Sequence, residues 1–320
     1  MKFEGIGLVR GISAVFIVGC HLALLPNTQG AEYILHFCNM FVGVFGAISG
    51  FLLANSLIRQ QNGLLQLFHR KVLRLLVPYA FWTVIYVTAS HFLGANAHAT
   101  ERFSVVSLVN IIFRGGGACH LWYLSTIFYL SLVIISLWVC VHRFLRNLCA
   151  KSELLSWGVM LLGGLLILAS TFYRNHFFLY ELRLSGFVTL GFGMRLVLPS
   201  FMHIRCFLLI LLFALAVILH LFFVPLHNFI KDAIVVMPLL LFAVIYGVQG
   251  GKVGKVMDQC SFGVYLVHPL VTAAAALFVR KWFATPYTAW ITFVDWVLCY
   301  LLALCVTFVI KAIPVLRKFV

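Results

Sequence analysis

The sequence predicts an all-α fold, a polytopic integral membrane helical bundle of about ten transmembrane helices with both termini in the cytoplasm. Hydrophobic residues make up 63% of the 320-residue chain and charged residues only 10%. A soluble domain carries charge on about a quarter of its residues. The apolar residues also gather into runs of about 20, the helix length that crosses the hydrocarbon core of a bilayer.

Ten such runs follow one another along the chain. Their predicted cores are 7–25, 37–57, 75–93, 121–141, 154–172, 184–199, 205–222, 232–248, 261–279 and 289–311. The sixth is the weakest because it is short and contains Arg195. An apolar stretch at 103–113 is too short to span and predicts a re-entrant or interfacial helix. The remaining segments are too short for a soluble domain, so residues 1–320 are expected to form a single membrane-embedded domain.

The charge is strongly basic, with 23 Lys and Arg against 8 Asp and Glu. The cations lie between apolar runs, which favours a lipid bilayer over nucleic acid as the partner. Most fall in the segments that share a side with the N-terminus, which predicts that both termini are cytoplasmic. The same cations also suit a phosphate-bearing ligand on that face. The nine cysteines contain no C-x-x-C pair, so neither a disulfide framework nor a metal site is predicted.

The first apolar run contains Arg10 and His21, and ionisable groups inside a span are functional candidates because their burial is costly. Eleven residues of α-helix overshoot three turns by about 20°, so both side chains lie on one stripe, about 16 Å apart along the axis. A guanidinium near the cytoplasm suits an anionic ligand, and an imidazole deeper in the membrane can accept a proton from a hydroxyl. Alternatively, Arg10 is a topological anchor and His21 a packing residue.

Polar and basic residues follow in the next two runs. Ser49 stands between Gly46 and Gly50 in a small-xxx-small pattern that allows close helix packing. A basic cluster then enters the third run; its members Arg70, Lys71 and Arg74 share a face if the segment is α-helical. Such a cluster suits phosphate groups or lipid headgroups.

Three later groups complete the set of candidates. His120 and Trp122 open the fourth run, and Tyr265 and His268 lie in the ninth, just before a proline that frees a backbone carbonyl. Asp295 is a further charge in the last run. Each of these residues alone is also compatible with a structural role.

Taken in order, these motifs resemble those of the acyltransferase family 3 membrane proteins. The matching segments are Arg10-Gly11-Ile12 with His21, Ile48-Ser49-Gly50-Phe51-Leu52, Lys71-Val72-Leu73-Arg74-Leu75, His120-Leu121-Trp122-Tyr123-Leu124, and Ser261-Phe262-Gly263-Val264-Tyr265-Leu266-Val267-His268-Pro269-Leu270. The resemblance runs from the first helix to the ninth, with little signal between 142 and 258.

The resemblance implies an acyl-CoA donor, acetyl-CoA above all, that is approached from the cytoplasm of a bacterial inner membrane. It makes Arg10 and His21 the catalytic pair, and implicates Lys71 and Arg74 in donor binding, with Arg70 sharing the role. Bacterial relatives O-acetylate surface glycans, so a glycan or lipid-linked saccharide is the expected acceptor.

One departure concerns an acid that many relatives carry shortly before the Ser-Gly-Phe motif. Gly43 stands at that position here. Any role of this acid is therefore absent or relocated, for instance to Glu181, Asp232 or Asp295.

The resulting hypothesis has the imidazole of His21 deprotonate an acceptor hydroxyl or carry the acyl group transiently. Substrate contacts are expected from Ser49, His120, Trp122, Tyr265 and His268. Two other classes remain open: an exporter of lipid-linked glycans without chemistry, and a membrane scaffold whose polar residues only pack helices. Acyl transfer by purified protein separates the enzyme from both.

Overall fold

The computed structural model describes residues 3–22, 29–59, 64–93, 109, 120–144, 153–172, 179–203, 205–222, 228–247, 251–282 and 289–320. Within these ranges the chain is helical and has no strand. The α-helices are α1 (Glu4–Cys20), α2 (Gln29–Arg59), α3 (Leu64–Lys71), α4 (Val77–Leu93), α5 (Trp122–Phe144), α6 (Glu153–Phe172), α7 (Leu179–Phe201), α8 (Cys206–Phe222), α9 (Asn228–Tyr246), α10 (Gly251–Trp282) and α11 (Ala289–Ala312). A π-helical segment, Val72–Leu76, joins α3 to α4 in one continuous helix.

The helices correspond to the predicted spans. In the described ranges, seven helices are long and apolar enough to cross a membrane, and three shorter apolar helices lie in α1, α8 and α9. Each of the ten overlaps one predicted core, so the all-α polytopic fold is confirmed. The stretch at 103–113 lies, apart from Val109, outside the described residues.

The centre of the bundle is α2, which packs against α1, α7 and α9. Its buried side chains include Met40, Val44, Ala47, Ile48 and Phe51. The backbone of Gly50 lies against the Val188 carbonyl of α7, and Gly191 of α7 lies against the Ala47 carbonyl of α2. These glycines let the two helices approach closely, which is the packing role predicted for Gly50.

The sixth span is more deeply buried within the protein than its sequence indicates. Its helix, α7, has the lowest mean hydropathy of the seven long apolar helices, 1.3, yet 61% of its apolar window is buried. Arg195 donates from Nε to Asn55 Oδ1 at 3.1 Å. The helix is therefore less apolar because it faces protein, whereas α6 and α11 are exposed along most of their length and suit contact with lipid.

The two ends of the chain lie at the same end of the bundle. Arg10 and Lys318 line one cavity. The last residues dock on α4, where Trp82 Nε1 donates to the Phe319 carbonyl at 2.9 Å and the rings of Phe81 and Phe319 stack with centroids 4.1 Å apart. This arrangement agrees with two termini on one side of a membrane; that the side is cytoplasmic stays a prediction.

The contact between α2 and α7 can be tested at Gly50. A methyl group there overlaps the α7 backbone, so Gly50→Ala is expected to destabilise the protein by about 1–3 kcal/mol. The measurement is the midpoint of thermal unfolding of the detergent-purified protein, followed by intrinsic fluorescence.

Gly158→Ala in α6 is the matched control, because a Cβ at Gly158 meets no atom within 4 Å. Alanine also has the higher helix propensity, so this variant should unfold at the wild-type temperature or above it. Equal midpoints for the two variants would contradict the α2–α7 packing.

Candidate functional site

Both candidate residues of the first helix face the same neighbour. Arg10 lies within α1, and His21 ends the helix, its backbone N–H donating to the Val18 carbonyl at 3.1 Å. Arg10 donates from Nε to Asp258 Oδ1 of α10 at 2.8 Å. The His21 ring lies 4.9 Å from the His268 ring of α10, between centroids.

These two contacts fix the relative direction of the helices. Along α1 the order is Arg10 then His21, and along α10 it is Asp258 then His268, so α1 and α10 run parallel. Helices of the first and ninth spans must point the same way if every predicted span crosses the membrane. The observed direction therefore agrees with the ten-span topology.

Two glycines bring α1 and α10 together. Gly7 and Gly11 are four residues apart and lie on one face of α1. A Cβ on Gly7 would come within 2.8 Å of Asp258 Cγ, and one on Gly11 within 2.7 Å of Met257 Cβ. Because only glycine allows this approach, the small-xxx-small pair holds Arg10 beside its acidic partner.

Three imidazoles meet at the end of α1 and form the histidine cluster, defined as His21, His120 and His268. The ring centroid of His120 lies 6.5 Å from that of His21 and 5.5 Å from that of His268. His120 and His268 are buried, whereas His21 is partly exposed. Of the three, His21 is thus the most accessible.

Pro269 explains the orientation of His268. Proline has no N–H, so the Tyr265 carbonyl four residues earlier lacks its helical partner. Nδ1 of His268 takes that place, 2.8 Å from the Tyr265 carbonyl and 3.2 Å from the Val264 carbonyl. Both partners are acceptors only, so this nitrogen carries the proton and the imidazole is held in one orientation.

Two tyrosines fasten the surrounding helices. The Tyr265 hydroxyl donates to the backbone carbonyl of His120, and the Tyr86 hydroxyl donates to the Leu266 carbonyl at 2.7 Å. The Tyr86 and His120 rings are 4.9 Å apart. Helix α4 and the start of α5 are thereby tied to α10 around the cluster.

Ser49 and Trp122 lie beside this arrangement. The Ser49 and Tyr123 hydroxyls are 3.3 Å apart, and the Tyr123 ring lies 5.6 Å from that of Tyr265. Trp122 is half-buried with its ring 5.8 Å from Tyr180. Tyr123, which was not among the predicted site residues, links Ser49 to the residues around the histidines. Its place beside Trp122 in the motif was the available signal.

The opposite end of the α1–α10 pair opens into a cavity of about 350 Å³, called here the cation cavity. It is lined by Arg10, Arg74, Pro78, Asp258, Gln259, Ser261, Phe262, Lys311, Lys318 and Val320. Four of these side chains are cationic and one is acidic. Because Asp258 already pairs with Arg10, the remaining excess of positive charge favours an anion with several charges.

The π-helical segment changes how the basic cluster is presented. A π-helix hydrogen-bonds from i to i+5, so the α-helical spacing assumed for Arg70, Lys71 and Arg74 does not apply across Val72–Leu76. Arg74 lines the cation cavity, but Arg70 and Lys71 do not. The cluster is thus presented by a π-helical turn rather than by the α-helix assumed from the sequence, and donor binding by Arg70, Lys71 and Arg74 stays a prediction.

The cavity also contains residues that the sequence analysis missed. Asp258 precedes His268 by ten residues much as Arg10 precedes His21 by eleven, a parallel that could have pointed to the ion pair. Lys311, which donates to the Gln259 carbonyl, ends the last apolar run, and Lys318 follows it. A cation in either place is ordinarily a sign of topology.

The acids considered as replacements for the one absent at Gly43 lie elsewhere. Asp232 pairs with Arg183, and Asp295 is buried, accepting from the Cys299 thiol at 3.5 Å. Glu181 lies in the first turn of α7. Among the described residues that line the cation cavity, the acid is Asp258.

Comparison with known proteins places this arrangement in a family. A family model described as an acyltransferase domain, acyltransferase 3, matches residues 3–312, nearly the whole chain. Searches of curated proteins and of solved structures found no match. The matched region includes the histidine cluster and all of the cation cavity except Lys318 and Val320. The chain belongs to the acyltransferase 3 family, and the protein is a membrane acyltransferase.

Proposed function

We propose that the protein transfers an acyl group, acetyl in the first instance, from cytoplasmic acyl-CoA to a hydroxyl of a glycan or lipid-linked saccharide. The observation that carries this proposal is the α1–α10 pair, which has a cationic cavity at Arg10 and a partly exposed imidazole at His21. The two are about 16 Å apart along the helix axis. A donor with a polyanionic head and a reactive carbonyl at the end of a long arm fits that separation.

The cation cavity is the proposed site of the donor's phosphates. Arg74 and Lys318 supply charges, and Arg10 is held in place by Asp258. Guanidinium groups bind phosphate oxygens through two parallel hydrogen bonds, and ammonium groups act as point charges. Acetyl-CoA combines a diphosphate and a phosphate monoester, so it has the anionic character that this excess of positive charge favours.

His21 is the proposed general base. Its imidazole takes the proton of the acceptor hydroxyl while the hydroxyl oxygen forms a bond to the thioester carbonyl carbon. The carbon–sulfur bond then breaks, and the imidazolium returns the proton to the departing thiolate. The products are the ester and coenzyme A thiol, and His21 regains its initial state.

The family resemblance supports the proposed acceptor and cellular location. Bacterial relatives O-acetylate surface glycans, and the basic composition and apolar helices of this chain suit a bacterial inner membrane. A partly exposed imidazole at the end of α1 remote from the cation cavity suits an acceptor that arrives from the other direction. Mass spectrometry of surface glycans from cells with and without the gene would identify the acyl group and the acceptor together.

His21→Ala is expected to lower acyl transfer by about 10²- to 10⁴-fold, the usual contribution of a general base. The rate is measured as release of coenzyme A thiol from acetyl-CoA by purified protein supplied with a bacterial glycolipid extract. Thermal unfolding should change little, because His21 lies at a helix end and is partly exposed.

His36→Ala is the matched control, since His36 is an exposed histidine of α2 outside the cluster and the cavity. It should keep the wild-type rate. Full activity in a folded His21→Ala protein would rule out the assigned role.

Arg74→Ala and Lys318→Ala are each expected to raise the KM for acetyl-CoA about 10- to 100-fold, because a hydrogen bond to a charged group contributes about 1.5–3 kcal/mol. Because these residues lie far from His21, kcat should fall much less than kcat/KM. The measurement is the dependence of coenzyme A release on acetyl-CoA concentration at fixed ionic strength.

Arg205→Ala removes an exposed cation at the start of α8, outside the cavity, and should leave the KM unchanged. If Arg74→Ala and Lys318→Ala kept the wild-type KM for acetyl-CoA, as Arg205→Ala should, the cation cavity could not be the donor site.

A further inference from the structure

Three nitrogens of the histidine cluster are buried without a hydrogen bond among the described residues, and two of them belong to His120, whose ring lies farther from His21 than that of His268 does. Nε2 of His268 has no partner among the described residues, although the side chain is completely buried. Leaving a buried polar atom unsatisfied costs about 1–3 kcal/mol. A group this costly calls for a partner that forms during function.

The chemical character of this nitrogen is already determined. The carbonyls of Tyr265 and Val264 hold Nδ1 as the protonated nitrogen of His268, because carbonyl oxygens only accept. In a neutral imidazole the other nitrogen then has a lone pair and only accepts. Nε2 therefore needs a donor, and Pro269 is the reason that the ring is fixed in this tautomer.

The nearest imidazole is that of His21. The His21 and His268 ring centroids are 4.9 Å apart, closer than either is to His120. Since His268 is enclosed and His21 is partly exposed, His268 lies behind His21 relative to any substrate. In such an arrangement the enclosed group, here His268, orients the base, here His21, and the base reacts with the substrate.

We propose that His268 is a positioning residue, whose Nε2 accepts the N–H of His21 and so leaves the lone pair of the other His21 nitrogen for the acceptor hydroxyl. The inference rests on the proposed role of His21 as base. When His21 takes the hydroxyl proton, both its nitrogens carry protons, and His268 stabilises the imidazolium through the same hydrogen bond. The proton then leaves with the thiolate, and His268 keeps its own proton throughout.

Two substitutions separate this role from a purely structural one. Glutamine at 268 places an amide oxygen near the Nε2 position, whereas asparagine reaches only the Nδ1 position and can keep the bond to the Tyr265 carbonyl. We expect His268→Gln to retain kcat within about tenfold of wild type and His268→Asn to lose about 10²-fold or more. Neither should change the KM for acetyl-CoA appreciably, because the cation cavity is remote.

The reverse order, with asparagine active and glutamine inactive in folded proteins, would show that only the bond to the Tyr265 carbonyl matters and would overturn the proposal. Folding is checked by size-exclusion chromatography and by the thermal midpoint. His268→Leu, which fills the buried space without a polar atom, supplies a second acceptor-free variant should the asparagine protein not fold.

A double-mutant cycle tests whether His268 acts through His21. In the His21→Ala background, His268→Asn should leave the residual rate of coenzyme A release unchanged. A further loss of the same size as in the wild-type background would mean that His268 acts independently, for example by contacting the substrate or by pairing with His120. That result would also overturn the proposal.

Failure of this inference is distinguishable from failure of the proposed function. If His21→Ala is fully active, the assignment of the base is wrong, whatever the His268 variants do. If His21→Ala is inactive but His268→Asn is as active as wild type, the base stands and the positioning role of His268 falls.

Discussion

The parallel contact between α1 and α10 is the constraint on which the rest of the site depends. Gly7 and Gly11 let the helices approach, and the pair of Arg10 with Asp258 aligns them. A rigid helix then carries His21 to His268 at the other end. The cation cavity and the histidine cluster are thus two ends of one interface, and a shift of either helix along its axis would disturb both.

The number and position of the helices could be predicted because the bilayer imposes a length on every apolar run. Which helices are neighbours could not, because lipid-facing and protein-facing residues are both apolar and helix association depends on close packing instead. The sixth span illustrates this difficulty. Arg195 made this span the weakest prediction, whereas in the structure the Arg195 side chain donates to Asn55 of α2.

Prediction of the candidate site was uneven for physical reasons. Arg10, His21 and His268 stand out because ionisable groups are rare in apolar runs. Lys311 and Lys318 do not, because cations at or just beyond the end of an apolar run are common signs of topology. The π-helical turn at Val72–Leu76 was not predicted because such a turn cannot be recognised from residue types alone. That Nε2 of His268 accepts a hydrogen bond follows from the effect of Pro269 on the ring. Which group donates to it can be inferred only from the structure.

The separation of Arg10 and Asp258 by 248 residues has a consequence for biosynthesis. At about 5–20 residues per second, a ribosome needs on the order of 10–50 s after making α1 to reach α10. During that interval the guanidinium has no Asp258 to pair with, and in the bilayer centre it would cost about 2.5–3.5 kcal/mol. The nascent helix is therefore expected to keep Arg10 at the headgroup level and to settle only when α10 is inserted, so assembly of this enzyme finishes late in translation.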